Sequence, residues 1–292
     1  MALKEALDKE KFAVTTEVGP LKGTDTTEIL EVAEILKGKV DGVNVTDQQS
    51  AVMRLGSLAT CSMLVERGMD PVFQMTCRDR NRIALQSDLL NAYVFGVRNV
   101  LAISGDFPTL GDHIDAKDVY DLDTEQLIWT INRMNEGYDL AGNELQGKTD
   151  FFVGAVVKPV SDTEASFELQ LAMMDKKISV GARFFQTQAV YDVDAFEKFM
   201  KRAAQFDVPV LVGIIPLKSA GMARYMNKNV SGVFVPEHMI NDMAKAKDKM
   251  ATGFEIAARL INDLKDLCQG VHMMAIGWEK KVPEILRLAN LN

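Results

Sequence analysis

Eight short apolar runs, each followed by a segment with helical periodicity, constrain the fold of this chain more than any other feature. Apolar residues fill successive positions of these runs instead of alternating with polar ones, which predicts strands buried on both faces. The predicted strands cover residues 12–18, 40–46, 71–77, 151–158, 182–188, 208–217 and 271–276, with a further strand beginning at residue 99. Eight such units close naturally into an α/β fold of the (β/α)₈ TIM-barrel type. A doubly wound open sheet is the alternative, but the Gly-x-Gly-x-x-Gly turn expected of it is absent from the sequence.

The segments between the strands predict the helical layer of the barrel. The predicted helices cover residues 25–37, 50–67, 80–97, 124–136, 162–180, 193–206, 219–226, 252–267 and 283–289, and the charged N-terminus adds a short amphipathic helix. Neither a linker nor a shift in composition divides the chain. We therefore expect residues 1–292 to form a single barrel domain.

Charge and composition narrow the classes of function. The net charge is −8 and no stripe of Lys and Arg is present, which argues against a nucleic-acid partner. No apolar run approaches the roughly 20 residues of a membrane span, and the N-terminus lacks the apolar core of a signal peptide. The three cysteines and three histidines are scattered, so we expect neither a disulfide framework nor a metal site. This composition is typical of a cytoplasmic protein.

Polar residues at the predicted strand ends are the candidates for a site, since the carboxyl ends of all eight strands meet at one face of a barrel. These residues are Glu17, Thr46, Asp47, Thr76, Asp79, Asp106, Lys158, Gln186, Gln188, Lys218, Trp278 and Glu279. Asp106 follows Gly105, which permits close approach of the backbone to a ligand, and Pro108 ends regular structure. The alternative for Asp106 is that it only caps the following turn.

Glu17 is the most informative of these residues, because it is a carboxyl in an otherwise apolar and β-branched strand. A buried carboxyl that keeps its proton can act as a general acid. The alternative is an ion pair with Lys11 or Lys22, which are nearby in the sequence. Gln186 and Gln188 offer amides that suit the edge of a pterin or flavin ring. The alternative is that strand alternation points only one of them inward.

The motifs at these strand ends resemble those of the methylenetetrahydrofolate reductase family, in its short prokaryotic form, over nearly the whole chain. The motifs are Thr16–Pro20, Val45-Thr46, Met75–Asp79, Ser104–Pro108, Gly181–Gln188, Val212–Pro216 and Val235-Pro236. Each motif alone is weak, but seven of them in the order of the family are specific.

The resemblance implies a flavoprotein that reduces 5,10-methylenetetrahydrofolate to 5-methyltetrahydrofolate by a ping-pong route, and thus a role in one-carbon metabolism and methionine biosynthesis. The family's acid falls on Glu17, which would protonate N10 of the folate and help to open its five-membered ring to an iminium. The aspartate near flavin and pterin falls on Asp106, and the pterin-binding glutamine falls on Gln188. The flavin contacts fall on Thr46, Gln74, Gly105, Asp106 and Lys177.

Departures from the family pattern bear on the cofactor and the electron donor. Gln74 stands where the family usually has His, Ser104 replaces an Arg, and Val157–Val160 replaces a His/Pro segment that helps to hold the adenosine side of FAD. The resemblance implies FAD, and these departures make FMN the alternative. Ala220 replaces a Phe that stacks on NADH or folate, which leaves open whether NADH or an electron-donating partner subunit reduces the flavin. The chain is also expected to be oligomeric.

Two other functions compete with the reductase. Lys158 closes a predicted strand and could be the nucleophile of a Schiff-base aldolase on the same barrel. A non-catalytic folate-binding subunit of a methyl-transfer complex is the second alternative.

Overall fold

The computed structural model describes residues 2–161 and 163–291, and its eight strands form a closed parallel barrel in sequence order. The strands are β1 (Ala13–Val18), β2 (Gly42–Val45), β3 (Pro71–Thr76), β4 (Asn99–Ile103), β5 (Phe152–Val157), β6 (Phe184–Ala189), β7 (Val210–Ile214) and β8 (Gly270–Met273). β8 pairs with β1 and closes the sheet, with Thr15 opposite His272. The predicted barrel is confirmed.

Helices cover the outside of this barrel. They are α1 (Ala2–Asp8), α2 (Thr27–Leu36), α3 (Ser57–Glu66), α4 (Arg82–Val94), α5 (Thr124–Glu136), α6 (Glu164–Ser179), α7 (Val193–Ala203), α8 (Ala220–Asn229), α9 (Glu237–Lys245), α10 (Lys249–Leu264) and α11 (Val282–Leu288). Asp162, the first residue of one predicted helix, lies outside the described residues. None of the described helices combines the length and the apolarity that crossing a membrane requires.

The helix predicted over residues 50–67 begins seven residues later than expected, at Ser57. Residues 49–51 instead form a short 3₁₀ turn in which Ser50 and Ala51 have φ values of 58° and 56°. This turn packs against a second 3₁₀ turn, Pro108–Leu110, which follows β4. Contact between two loops at the barrel mouth therefore overrides the helical pattern of this segment.

The lower end of the barrel interior is apolar and is closed by α1. Leu3, Ala6 and Leu7 of this helix pack against the inward-facing side chains of the first strand positions. Inside the barrel, the rings of Phe152 and Phe184 stack with centroids 4.9 Å apart. The interior above these rings is polar, and it leads to the carboxyl ends of the strands.

Candidate functional site

Glu17 lies on the inward face of β1, near the mouth of the barrel, and its side chain is only 14% exposed. Its Oε1 accepts a hydrogen bond of 3.2 Å from Gln74 Nε2 and lies 3.5 Å from His272 Nε2. The ion pairs considered as alternatives are wrong, because Lys11 pairs with Asp41 and Lys22 with Asp112. Within the described part of the chain, no Lys or Arg forms an ion pair with Glu17. Its carboxyl group therefore meets neutral or titratable partners instead of a permanent cation.

A chain of buried polar groups continues from Glu17 down the barrel axis. His272 Nδ1 lies 2.9 Å from Thr15 Oγ1, and that hydroxyl accepts a 3.2 Å hydrogen bond from Gln186 Nε2. Gln186 and Asn44 then exchange two hydrogen bonds of 2.7 and 3.1 Å between their amides. Every side chain below Glu17 in this series of hydrogen-bonded groups is buried, so the groups hold one another in fixed positions.

His272 is the residue of this site that the sequence does not predict, because the three histidines are far apart along the chain. The signal that locates it is positional. In a closed barrel the eighth strand pairs with the first, which brings His272 beside Thr15 although 257 residues separate them.

Gln186 and Gln188 are two residues apart on β6, so strand alternation alone does not require one of them to point outward. Residues two apart on a strand share a face, and Gln186 does face the axis. The ladder between β6 and β7 then shifts register between Gln186 and Ala189. Past this irregularity, Gln188 Oε1 accepts a 2.9 Å hydrogen bond from Ala189 N. Its Nε2 has no hydrogen-bond partner among the residues described.

Asp106 follows β4, and its main chain is fixed from both sides. Arg78 donates a 3.0 Å hydrogen bond to the Asp106 carbonyl, and the Tyr120 hydroxyl donates one of 3.1 Å to the Gly105 carbonyl. Gly105 has φ of 85°, and a Cβ there would lie 3.0 Å from the Thr76 side chain, so this position requires glycine. The Asp106 side chain is exposed and makes no hydrogen bond within the described structure.

Thr46 and Asp47 follow β2, and their side chains differ in their hydrogen-bond partners. Asp47 accepts 2.9 Å hydrogen bonds from the backbone N and the Oγ1 of Thr76, and it pairs with Arg80. This carboxylate therefore ties the ends of β2 and β3 together. Thr46 is buried, and its Oγ1 has no hydrogen-bond partner in the part of the chain that the structure describes. A buried hydroxyl without a partner is uncommon and marks a place where a ligand atom could complete the site.

Two lysines lie near the end of β5. Lys177 of α6 is buried and donates a 2.9 Å hydrogen bond to the Val156 carbonyl, and burial lowers its pKa from the ordinary lysine value. An ammonium group has three donors, so two remain. Lys158 is exposed and its Nζ donates to Ser231 Oγ at 3.2 Å. Because a Schiff-base lysine is commonly activated by desolvation or by a neighbouring cation, this open setting argues against the aldolase.

These observations define a (β/α)₈ barrel with a buried carboxyl at the top of a polar axis and polar loops around the mouth. The chain belongs to the methylenetetrahydrofolate reductase family, because the model of that family matches residues 2–290.

Individual proteins show the same relationship. A probable methylenetetrahydrofolate reductase (NADPH) of Caenorhabditis elegans is 26% identical over 246 residues, covering 80% of this chain and 34% of that protein. This chain thus spans about a third of that relative's length. A 5,10-methylenetetrahydrofolate reductase of Pectobacterium carotovorum is 25% identical over 215 residues, covering 72% of this chain and 65% of that protein.

Solved structures share the fold. A Clostridium thermocellum protein described as binding two copies of 5-methyl-5,6,7,8-tetrahydrofolic acid aligns with a TM-score of 0.69 at 16% identity, covering 100% of this chain and 99% of the other. At this identity the likeness bears on the fold alone.

Proposed function

We propose that this chain reduces 5,10-methylenetetrahydrofolate to 5-methyltetrahydrofolate with a bound flavin. The observation that carries the proposal is Glu17, a nearly buried carboxyl on the barrel axis that contacts Gln74 and lies close to His272. Among the residues that the structure describes, no Lys or Arg pairs with it. A carboxyl placed in this way, at the mouth of the barrel, is positioned to donate a proton to a basic substrate atom. Membership of the family supplies the substrate class.

Glu17 is the proposed general acid. It would donate its proton to N10 of the folate, which helps to open the five-membered ring to an iminium that can accept a hydride. His272 lies 3.5 Å from the carboxyl on one side and 2.9 Å from Thr15 on the other. The imidazole is thus the neighbouring group that can return a proton to Glu17, because each ring nitrogen can donate or accept according to the tautomer.

The loops after β2 to β5 fit a flavin on the other side of the mouth. Thr46 offers an unpartnered buried hydroxyl, Gly105 allows close approach of the backbone, and Lys177 contributes a cation. When bound there, a flavin supplies the hydride that reduces the folate. Asp106 would hydrogen-bond the pterin and place a negative charge near the flavin, and Gln188 would use its free Nε2 on the pterin. Gln74 contacts Glu17, so we assign it the orientation of the acid in addition to its expected contact with the flavin.

FAD is the proposed flavin and FMN its alternative. We further propose that the chain is oligomeric. We also propose that a partner subunit supplies the electrons, because Ala220 begins α8 at the position where the family pattern has a Phe that stacks on NADH or folate. A kinetic assay of the isolated chain with NADH against an artificial dye tests the donor. Full activity with NADH would rule out the need for a partner.

An absorbance spectrum of the purified chain, followed by extraction and mass analysis of any flavin, tests the proposal most directly. Oxidised-flavin bands that bleach with a reductant and recover with methylenetetrahydrofolate are the expected result, and the mass distinguishes FAD from FMN. A colourless protein that takes up no added flavin would overturn the reductase. Uptake of flavin and folate without turnover would instead favour the folate-binding subunit.

A further inference from the structure

Lys218 is a lysine at the barrel mouth whose ammonium group faces no carboxylate at ion-pair distance among the described residues. It lies four residues beyond the end of β7 and is half-buried. Its Nζ donates a hydrogen bond to the Ile276 carbonyl and lies 5.0 Å from the centroid of the Trp278 ring. Cation–aromatic contact and one hydrogen bond therefore fix the position of a charge that no acid neutralises.

The acid that follows Trp278 in the loop after β8 is engaged elsewhere. Glu279 Oε1 accepts a 2.6 Å hydrogen bond from Gly277 N, which turns the carboxylate onto the main chain. An ammonium group can donate three hydrogen bonds, and Lys218 uses one of them within the described structure. In a chain with a net charge of −8, a held cation with two donors to spare is suited to an anionic ligand.

The backbone beneath Lys218 is strained. Ile276 has φ of 48°, in a region that a β-branched residue rarely adopts, and its side chain is 45% exposed. Gly277 follows with φ of 81°. Strain of this kind costs roughly 1–3 kcal/mol and is commonly found at ligand sites. Here it presents the Ile276 carbonyl to Lys218 and so helps to place the cation.

The position of this lysine relative to Glu17 suggests what the anion is. β8 is the neighbour of β1, with Met273 opposite Thr16, so the loop from Ala275 to Trp278 rises beside Glu17. β4, which leads to Gly105 and Asp106, lies across the barrel. The atom that Glu17 would protonate, N10, is also the atom from which the benzoyl-glutamate tail of a folate extends. A tail that leaves N10 on the β8 side would run toward the loop that carries Trp278, and Lys218 lies over the ring of Trp278.

We propose that Lys218, held by Trp278 and Ile276, binds the glutamyl carboxylates of the folate substrate and so determines its affinity for the tail. This inference rests on the proposed function and deepens it. It assigns a specificity role to Lys218, which binds the substrate at a distance from the reacting atoms and takes no part in proton or hydride transfer.

Binding measurements on the purified chain, with whatever flavin it carries, test the inference. The ligands are 5-methyltetrahydrofolate, its triglutamate and a 6-methyltetrahydropterin that lacks the tail. The variant Lys218→Met keeps the aliphatic stem on Trp278, whereas Lys218→Arg keeps the charge. Lys228→Met, at an exposed position of α8, removes the same charge elsewhere and serves as the matched control.

Lys218→Met is expected to weaken both tailed ligands about tenfold while leaving the tail-less pterin within twofold, because one charge-assisted contact is lost. Lys218→Arg and Lys228→Met are expected to bind all three ligands as the unchanged chain does. Equal losses of affinity for the tailed and tail-less ligands, or no loss, would overturn the role of Lys218 but not the proposed function. Failure of the unchanged chain to bind any of the three would overturn the proposed function, and the inference with it.

Discussion

Replacement of Glu17 by Gln tests the proposed general acid while leaving the rest of the barrel unchanged. Gln has almost the same shape, and its Oε1 can still accept the hydrogen bond from Gln74 that Glu17 accepts at 3.2 Å. The side chain below it, His272, keeps its contact with Thr15. The one property that the substitution removes is the ability of residue 17 to donate a proton to the substrate.

The expected loss follows from that single change. A positioned general acid contributes about 10²–10⁴-fold to a reaction, which corresponds to roughly 3–5 kcal/mol of transition-state stabilisation. Formation of 5-methyltetrahydrofolate, measured by chromatography with an artificial reductant, should fall by that factor. Dye reduction that bypasses the folate should stay within about twofold, because it needs no proton from Glu17. The urea midpoint should change little, since the buried contacts remain.

Glu28→Gln, on the exposed face of α2, makes the same substitution far from the mouth and should alter neither reaction. If Glu17→Gln slows the folate and dye reactions equally, Glu17 has a structural role. If it leaves folate reduction unchanged, residue 17 is not the acid. Either result would refute the reasoning, whereas a loss confined to the folate reaction supports it.

Three further predictions concern the stability and reactivity of the chain. Asn44→Ala removes both hydrogen bonds to the buried Gln186 and should lower the free energy of unfolding by roughly 2–4 kcal/mol in urea titrations. Asn91→Ala, at an exposed position, should change that free energy by about 0.5 kcal/mol or less. Equal effects of the two substitutions would show that the hydrogen bonds between Asn44 and Gln186 do not stabilise the fold. Hydrogen bonds from the Arg82 side chain and backbone lower the pKa of Asp121 to about 2. Because the folded state favours the carboxylate, this contribution is present above pH about 4 and is lost as the pH falls toward about 2. Carboxyl titration by NMR should show the low midpoint, Arg82→Gln should raise it, and an unchanged midpoint in that variant would assign the shift to another cause. Burial raises the pKa of the Cys77 thiol to about 12 and that of Cys268 to about 11, and it also raises that of Cys61. Iodoacetamide at pH 8 should therefore leave all three unmodified until the chain unfolds, and rapid labelling of the folded chain would show that one of them is accessible.

Contacts at the mouth show where local patterns stop being informative. The helical periodicity after residue 50 is real, yet Ser50 and Ala51 adopt left-handed backbone because their turn packs against the turn after β4. The hydrogen bond that Gln188 accepts from Ala189 N lies at the register shift between β6 and β7, which also depends on tertiary pairing. Neither outcome is encoded within a window of a few residues, because each depends on a segment distant in the sequence.

The sequence by itself determined the barrel and placed a carboxyl residue, the proposed acid, in its first strand. Eight runs that are apolar on both faces predict a covered parallel sheet, and a carboxyl in the first of them, Glu17, is costly to bury unless it finds polar partners. Only the tertiary structure decided which groups surround that carboxyl. Closure of the sheet sets β8 against β1 and so brings His272 to Glu17, whereas the pairing of β7 with β8 brings Lys218 to Ile276. Hydrophobic periodicity is a local property of a sequence, but these contacts exist only once strands that are distant in the sequence have paired.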